Sequence, residues 1–152
     1  LHRKAELKRL VQELPLGHPV RIVDGDYVPE RFYALAKGLE DLPERGLRCQ
    51  KCIGHRLEEP CRTALEQPER PDYVCTTLTI SPHKDAVFIN TKGTELAQQY
   101  GIAWLPTDFK KKGGYQRSIV LSREYDLYRQ NFCGCVYSRL EAERREKEMA
   151  SS

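Results

Sequence analysis

Apolar positions along the chain alternate between helical and extended spacing. Leu7, Leu10, Val11 and Leu14 mark one face of an opening helix, which Pro15 and Gly17 bring to a stop. VRIVD, residues 20–24, predicts a short buried strand. PERFYALAKGLE places Pro29 at a first helical position and Phe32, Leu35, Ala36 and Leu39 on one side, which predicts a second helix. After the loop EDLPERGLR, CQKCIGHRLEE predicts a helix that Pro60 interrupts. DYVCTTLTI, residues 72–80, is rich in β-branched side chains and is the best strand candidate. Ser81 and Pro82 suit the N-cap and first turn of a helix through HKDAVFINTKGTELAQQYG, with Gly101 closing it. IAWL predicts another strand and GYQRSIVLSREYDL another helix.

Strands alternating with helices imply an α/β fold with a mostly parallel sheet, whose ligands sit beyond the carboxyl ends of the strands. One domain is expected over residues 1–140, followed by a charged helical tail, EAERREKEMASS (141–152), that frays in solvent. A chain of 152 residues can bury about two thirds of its unfolded surface without disulfides. Its 39% hydrophobic and 31% charged residues, with a mean hydropathy of −0.64, fit a water-soluble protein. No apolar run approaches the length of a membrane span, and LHRKAELKRL lacks the apolar core of a signal peptide. A cytoplasmic, reducing compartment is therefore expected. There, six cysteines point to metal or redox chemistry rather than to structural bridges. A net charge of +3 does not by itself announce a nucleic-acid partner, although basic residues thicken towards the C-terminal half.

Phosphate-cradling motifs of the G-x-G-x-x-G or P-loop kind are absent, so attention falls on the thiols. Cys49 and Cys52 form a C-x-x-C in RCQKC, a spacing that lets two thiolates converge on one metal, with Arg48 and Lys51 beside them to favour the ionised form. Cys133-Gly134-Cys135 brackets a residue without a Cβ, which permits a tight bend between two thiols. That geometry suits either a second pair of metal ligands or a dithiol cycling through a small, strained and therefore reducible disulfide ring. Burial as small hydrophobes is the competing explanation for any of these, and it is the expected one for Cys61 and Cys75. His83, in SPHKD, could face a ligand or simply be a polar first-turn residue. Asp24 and Asp26 in VDGDY are expected to form a turn and a helix cap rather than an acid or a metal site.

Four stretches, VDGDYVPE, RCQKC, TTLTISPHK and DFKKKGGYQRSIVLSREYDLYRQNFCGCVYS, together resemble epoxyqueuosine reductase of the QueH type, in order and over nearly all of residues 1–138. The resemblance implies a Rossmann-like three-layer α/β catalytic domain and a 4Fe-4S cluster, with or without an adjacent iron ion. It also implies reduction of epoxyqueuosine to queuosine in the tRNA anticodon, the last step of queuosine biosynthesis. Cys49 and Cys52 would be cluster ligands, and Cys133 and Cys135 the redox-active pair. Separately from the resemblance, Arg117, Arg123, Arg129, Arg139 and Lys110 to Lys112 cluster in the segment that leads into the thiols and are expected to face tRNA phosphates, although a lysine run is usually a solvated face; an unidentified electron donor would act as a further partner. Family members open with a strand ending in adjacent cysteines, which these residues lack. The expectation is a sheet without its first strand and a cluster site without part of its ligands, in either a fragment or an encoded short form. Pro60 and Pro68 interrupt what is a continuous helix in the family, so local rearrangement beyond Cys52 is expected.

Converting an epoxide to an alkene releases the oxygen as water and consumes two electrons and two protons. A dithiol becoming a disulfide supplies both. An iron site can act as Lewis acid and relay electrons. Two other readings compete: one structural zinc held by C-x-x-C and C-x-C in a non-catalytic nucleic-acid-binding module, and a metal-free dithiol oxidoreductase that leaves RCQKC unexplained. An inactive fragment of the reductase is the remaining alternative.

Overall fold

The computed structural model describes residues 2–151 and shows a mixed fold of six helices and a small parallel sheet. In chain order these are α1 (His2–Glu13), α2 (Pro29–Ala36), α3 (Leu47–Leu65), β1 (Tyr73–Val74), α4 (Ala86–Gln99), β2 (Ala103–Trp104), α5 (Gly114–Glu124) and α6 (Val136–Ala150). A 3-10 turn, Thr77–Ile80, follows β1. The residues divide into two compact units: one comprises the chain up to Ile22 and from Val120 onward, the other Val23–Ile119.

The second unit is built on a strand-helix-strand crossover. β1 and β2 pair in parallel, Tyr73 with Ala103 and Val74 with Trp104, and α4 connects them. Asp85 starts α4: its Oδ1 accepts from the backbone N–H groups of Val87 (2.9 Å) and Phe88 (3.1 Å), two donors that the helix cannot satisfy itself. The cap therefore lies four residues beyond the expected Ser81, because Pro82 is followed by a turn and a carboxylate serves two donors at once. At the other end Gly101, at φ +61°, donates to Gln98 O while Ile102 donates to Ala97 O, the paired closure that a left-handed residue allows. The core gathers Leu57, Cys61 and Ala64 of α3, Val74 of β1, Ile89, Leu96 and Ala97 of α4, and Ile102 and Trp104. Gly93 lies flat against the Trp104 indole, where a Cβ would overlap the ring.

Three element expectations are corrected. Residues 20–24 form no strand: Val20 and Val23 are exposed and belong to no described sheet, so their apolar character has no ladder to join. The strand at 72–80 shrinks to Tyr73–Val74, because Thr76 Oγ1 accepts from Leu78 N–H (3.2 Å) and turns the chain into the 3-10 segment. α3 runs through Pro60 instead of stopping there. The lost hydrogen bond is outweighed by the apolar stripe on both sides of the proline, with Leu57 and Cys61 at 1% and 0% exposure. Cys61 is a packing residue as expected, and burial, with Glu58 nearby, pushes its thiol pKa up. Cys75, expected to pack, is exposed.

α2 is held to α3 by Arg31, whose guanidinium lies 3.1 Å from Glu59 Oε1, while Arg62 reaches Glu59 Oε2 at 2.7 Å. In the first unit, α1 fixes the segment after α5. Arg9 donates to the carbonyls of Tyr125 (2.9 Å) and Asp126 (3.1 Å), and Glu6 accepts from Tyr128 N–H (3.0 Å). That backbone bond, with Arg9 beside it, holds the Glu6 carboxyl below its ordinary pKa. His2 and Tyr128 meet edge to face at 4.9 Å. The tail expected to fray is α6 as far as Ala150, with Arg139 and Glu143 paired one turn apart at 3.5 Å.

Two predictions follow from these contacts. Gly93→Ala must displace either α4 or the indole, so thermal unfolding should show a loss of about 1–3 kcal/mol, with Trp104 fluorescence shifted in the folded state. An unchanged midpoint would mean that the helix and ring are not in contact. The Arg62 hydrogen bond, reinforced by Arg31, lowers the Glu59 pKa from its ordinary value of 4.5. A depressed carboxylate stabilises above that value and loses its contribution as pH falls through the folded pKa. The advantage of wild type over Glu59→Gln, about 0.5–1 kcal/mol for a partly exposed pair, should therefore persist at neutral pH, begin to decline as the pH falls to 4.5 and be lost only at pH values below the depressed folded pKa. Denaturant melts of both proteins across that range would show it.

Candidate functional site

α3 begins at Gly46 without a side-chain cap, and its first two turns carry Cys49 and Cys52, both half-buried. Three residues apart, the two thiols share one helix face. Cys49 opens onto a cleft of about 390 Å³ between the start of α3 and the turn that leads into α4. Ile53, Pro82 and Phe88 form its apolar lining, while Arg45, His83 and Lys84 give it a basic side. The turn is fixed locally: His83 N–H donates to Ser81 Oγ (3.3 Å), and Lys84 N–H to Ser81 O (3.2 Å). Arg45 Nη2 lies 3.1 Å from His83 Nδ1. Lys84 approaches Glu44 at 3.9 Å.

Arg48 is 3% exposed and donates to the carbonyls of Leu39 and Glu40, which makes it a staple that holds the loop after α2 against α3. Asp24 and Asp26 do not occupy the N-cap of α2, since Val28 holds that position without a side-chain bond. His83 does face the cleft, because α4 starts late enough to leave it in a turn.

Cys133 and Cys135 belong to the first unit. Gly134 between them has φ +110°, a conformation that calls for glycine, whereas a Cβ there would come within 3.3 Å only of the flexible side-chain ends Arg3 Nη1 and Gln130 Nε2. Cys135 is the N-cap of α6: its Sγ accepts from Ser138 N–H at 3.4 Å, and Ser138 Oγ donates to Cys135 O at 3.1 Å. Cys133 is exposed. The structure thus places the members of each pair close in the fold and sets the two pairs in separate units. Among the described residues no three His, Cys, Asp or Glu side chains form a metal-holding group. As donors, Cys49 and Cys52 fit two positions of a thiolate-bound metal centre: adjacent sulfurs on a rigid helix beside an open cleft.

Sequence reasoning missed Arg45 and Asn90. Arg45 sits in a loop with no local signature, and only its position shortly before RCQKC could have drawn attention. Asn90 is inside a helix, where its type is neutral, yet its side chain accepts from Trp104 Nε1 (3.1 Å) and Thr107 N–H (3.1 Å) and donates to Thr107 O (2.8 Å).

The family described as "Epoxyqueuosine reductase QueH" matches residues 1–141. Three proteins bearing that name are each 41% identical to this chain. The one from Streptococcus pyogenes serotype M1 aligns over 140 residues, 90% of this chain and 54% of the relative. The Staphylococcus epidermidis protein aligns over 124 residues, 80% and 51% respectively. That of Thermotoga maritima aligns over 127 residues, 81% and 64%. The chain thus spans about half to two thirds of the length of these relatives. With the match running from residue 1 to residue 141 and taking in both cysteine pairs, the chain belongs to the epoxyqueuosine reductase QueH family.

Proposed function

We propose that the protein reduces the epoxide of epoxyqueuosine in the anticodon of tRNA, giving queuosine in the last step of its biosynthesis. The observation that carries this is family membership combined with a C-x-x-C turn whose first thiol lines a cleft. Cys49 and Cys52 are assigned as two ligands of a 4Fe-4S cluster, with or without a neighbouring iron ion, in a Rossmann-like layered domain of a cytoplasmic enzyme. When bound, such a centre supplies Lewis acidity and single-electron relay. α3 carries the two sulfurs on adjacent turns, and Ile53, Pro82 and Phe88 give the cleft an apolar side.

Cys133 and Cys135 are assigned the reducing equivalents. Their two thiols give up two electrons and two protons as one S–S bond forms. The epoxide takes up the same two electrons and two protons, its two C–O bonds break, and the oxygen leaves as water. An external reductant of the thiol or electron-carrier class restores the dithiol. Contact with tRNA phosphates is assigned to Arg117, Arg123, Arg129, Arg139 and Lys110 to Lys112. Lys110 and Lys111 both pair with Asp108, at 2.9 and 3.4 Å, so the Asp108 carboxylate offsets part of their charge and Lys112 contributes in full.

In the full-length protein, anaerobic reconstitution with iron and sulfide is expected to give broad visible absorption that Cys49→Ala and Cys52→Ala abolish. Cys135→Ser should keep the iron while ending multiple turnover. Equal loss of iron in that variant would move the pair into the metal site, and a colourless protein binding zinc alone would favour the non-catalytic module. For RNA, Lys112→Ala should weaken binding equally for all sequences and lower the slope of log affinity against log salt by roughly one. An unchanged slope would place that lysine away from the phosphates.

A further inference from the structure

His83 is unusual among the cleft residues in being oriented by a partner that can only donate. The Arg45 guanidinium has five N–H groups and no acceptor, so at 3.1 Å from Nδ1 it requires that nitrogen to be the acceptor. The neutral ring then carries its proton on Nε2. Arg45 reaches this position from a left-handed backbone, φ +74°, which a long side chain adopts only against a steric cost. The histidine's own backbone is tied through its N–H to Ser81 Oγ. Ring orientation is therefore set from both sides, in a cleft whose apolar residues, Ile53, Pro82 and Phe88, suit the faces of a ring, while Gln50, Lys84 and Asp85 supply its other polar lining. A volume of about 390 Å³ matches one nucleoside-sized occupant.

We propose that Arg45 holds His83 in the Nε2–H form so that it donates a hydrogen bond to the oxygen of the substrate's strained ring, with that ring seated on the apolar lining beside Cys49. This assignment rests on the reductase function proposed above and specifies how its substrate is recognised. Arg45 is a positioning residue, and His83 a substrate-binding one.

The tautomer can be read directly from 15N chemical shifts of the imidazole in the full chain. Wild type should show Nδ1 as acceptor and Nε2 as protonated, and Arg45→Ala should mix in the other tautomer. Recognition is tested by binding anticodon stem-loops that carry epoxyqueuosine or queuosine, which differ by the single oxygen. Wild type should prefer the epoxide form by about 3- to 10-fold, the worth of one neutral hydrogen bond. His83→Leu should lose that preference. His83→Gln, whose amide nitrogen falls near Nε2, should retain it, whereas His83→Asn, whose amide falls near Nδ1, should not. Discrimination that survives in His83→Leu, or a wild-type Nδ1–H tautomer, would overturn the assignment. Histidine-dependent discrimination without turnover would instead leave it standing and sink the proposed reductase function.

Discussion

The unit from Val23 to Ile119 depends on the close approach of Trp104 to α4. A side chain of that size at the end of β2 can be buried only if the facing helix presents no Cβ, and Gly93 provides that gap. The indole N–H, once buried, needs an acceptor, and Asn90 supplies it from one turn earlier on the same helix. Asn90 then spends its remaining capacity on the backbone of Thr107, so one side chain fixes both the strand and the chain leaving it. With α4 registered against β2, Ile89 and Leu96 meet Leu57 and Cys61 of α3, the most extensive helix pairing in the fold. The cleft at the start of both helices is a consequence: its walls are the ends of two elements whose spacing is set deeper in the core.

Much of this was legible in the sequence, for reasons tied to particular residues. α1 follows its apolar periodicity to the stop at Pro15 and Gly17, α2 follows its apolar side only as far as Ala36, short of Leu39, α5 stops at Glu124, before the expected Leu127, and Gly101 closes α4 because φ +61° favours glycine. Misjudged segments are those where a local signal competes with a distant one. Pro60 is a helix breaker taken alone, but the stripe from Leu57 to Ala64 buries enough apolar surface to carry α3 past it. VRIVD has strand composition but joins no sheet among the described residues, and composition cannot supply a neighbouring strand. For the site, the thiol spacings were visible, whereas Arg45 and the burial of Arg48 under loop carbonyls depend on tertiary placement.

The two cysteine pairs differ in a way that bears on their proposed roles. A metal ligand pair needs fixed sulfur positions, and Cys49 and Cys52 lie on the first two turns of a 19-residue helix packed on the core. A redox pair must instead move between separated thiols and a bonded disulfide. Cys135 is anchored as the cap of α6, while Cys133 is exposed and joined to it through a glycine at φ +110°. In the proposed cycle, closing the ring would ask for rotation about Gly134 with the helix left in place, and the exposed Cys133 would be the sulfur open to attack by a reductant. Under the proposed roles, a reaction combining a metal centre with a two-electron store would draw fixed donors from one element and a hinged thiol from another, and each arrangement is traceable to its local sequence: C-x-x-C within a helix, C-G-C before one.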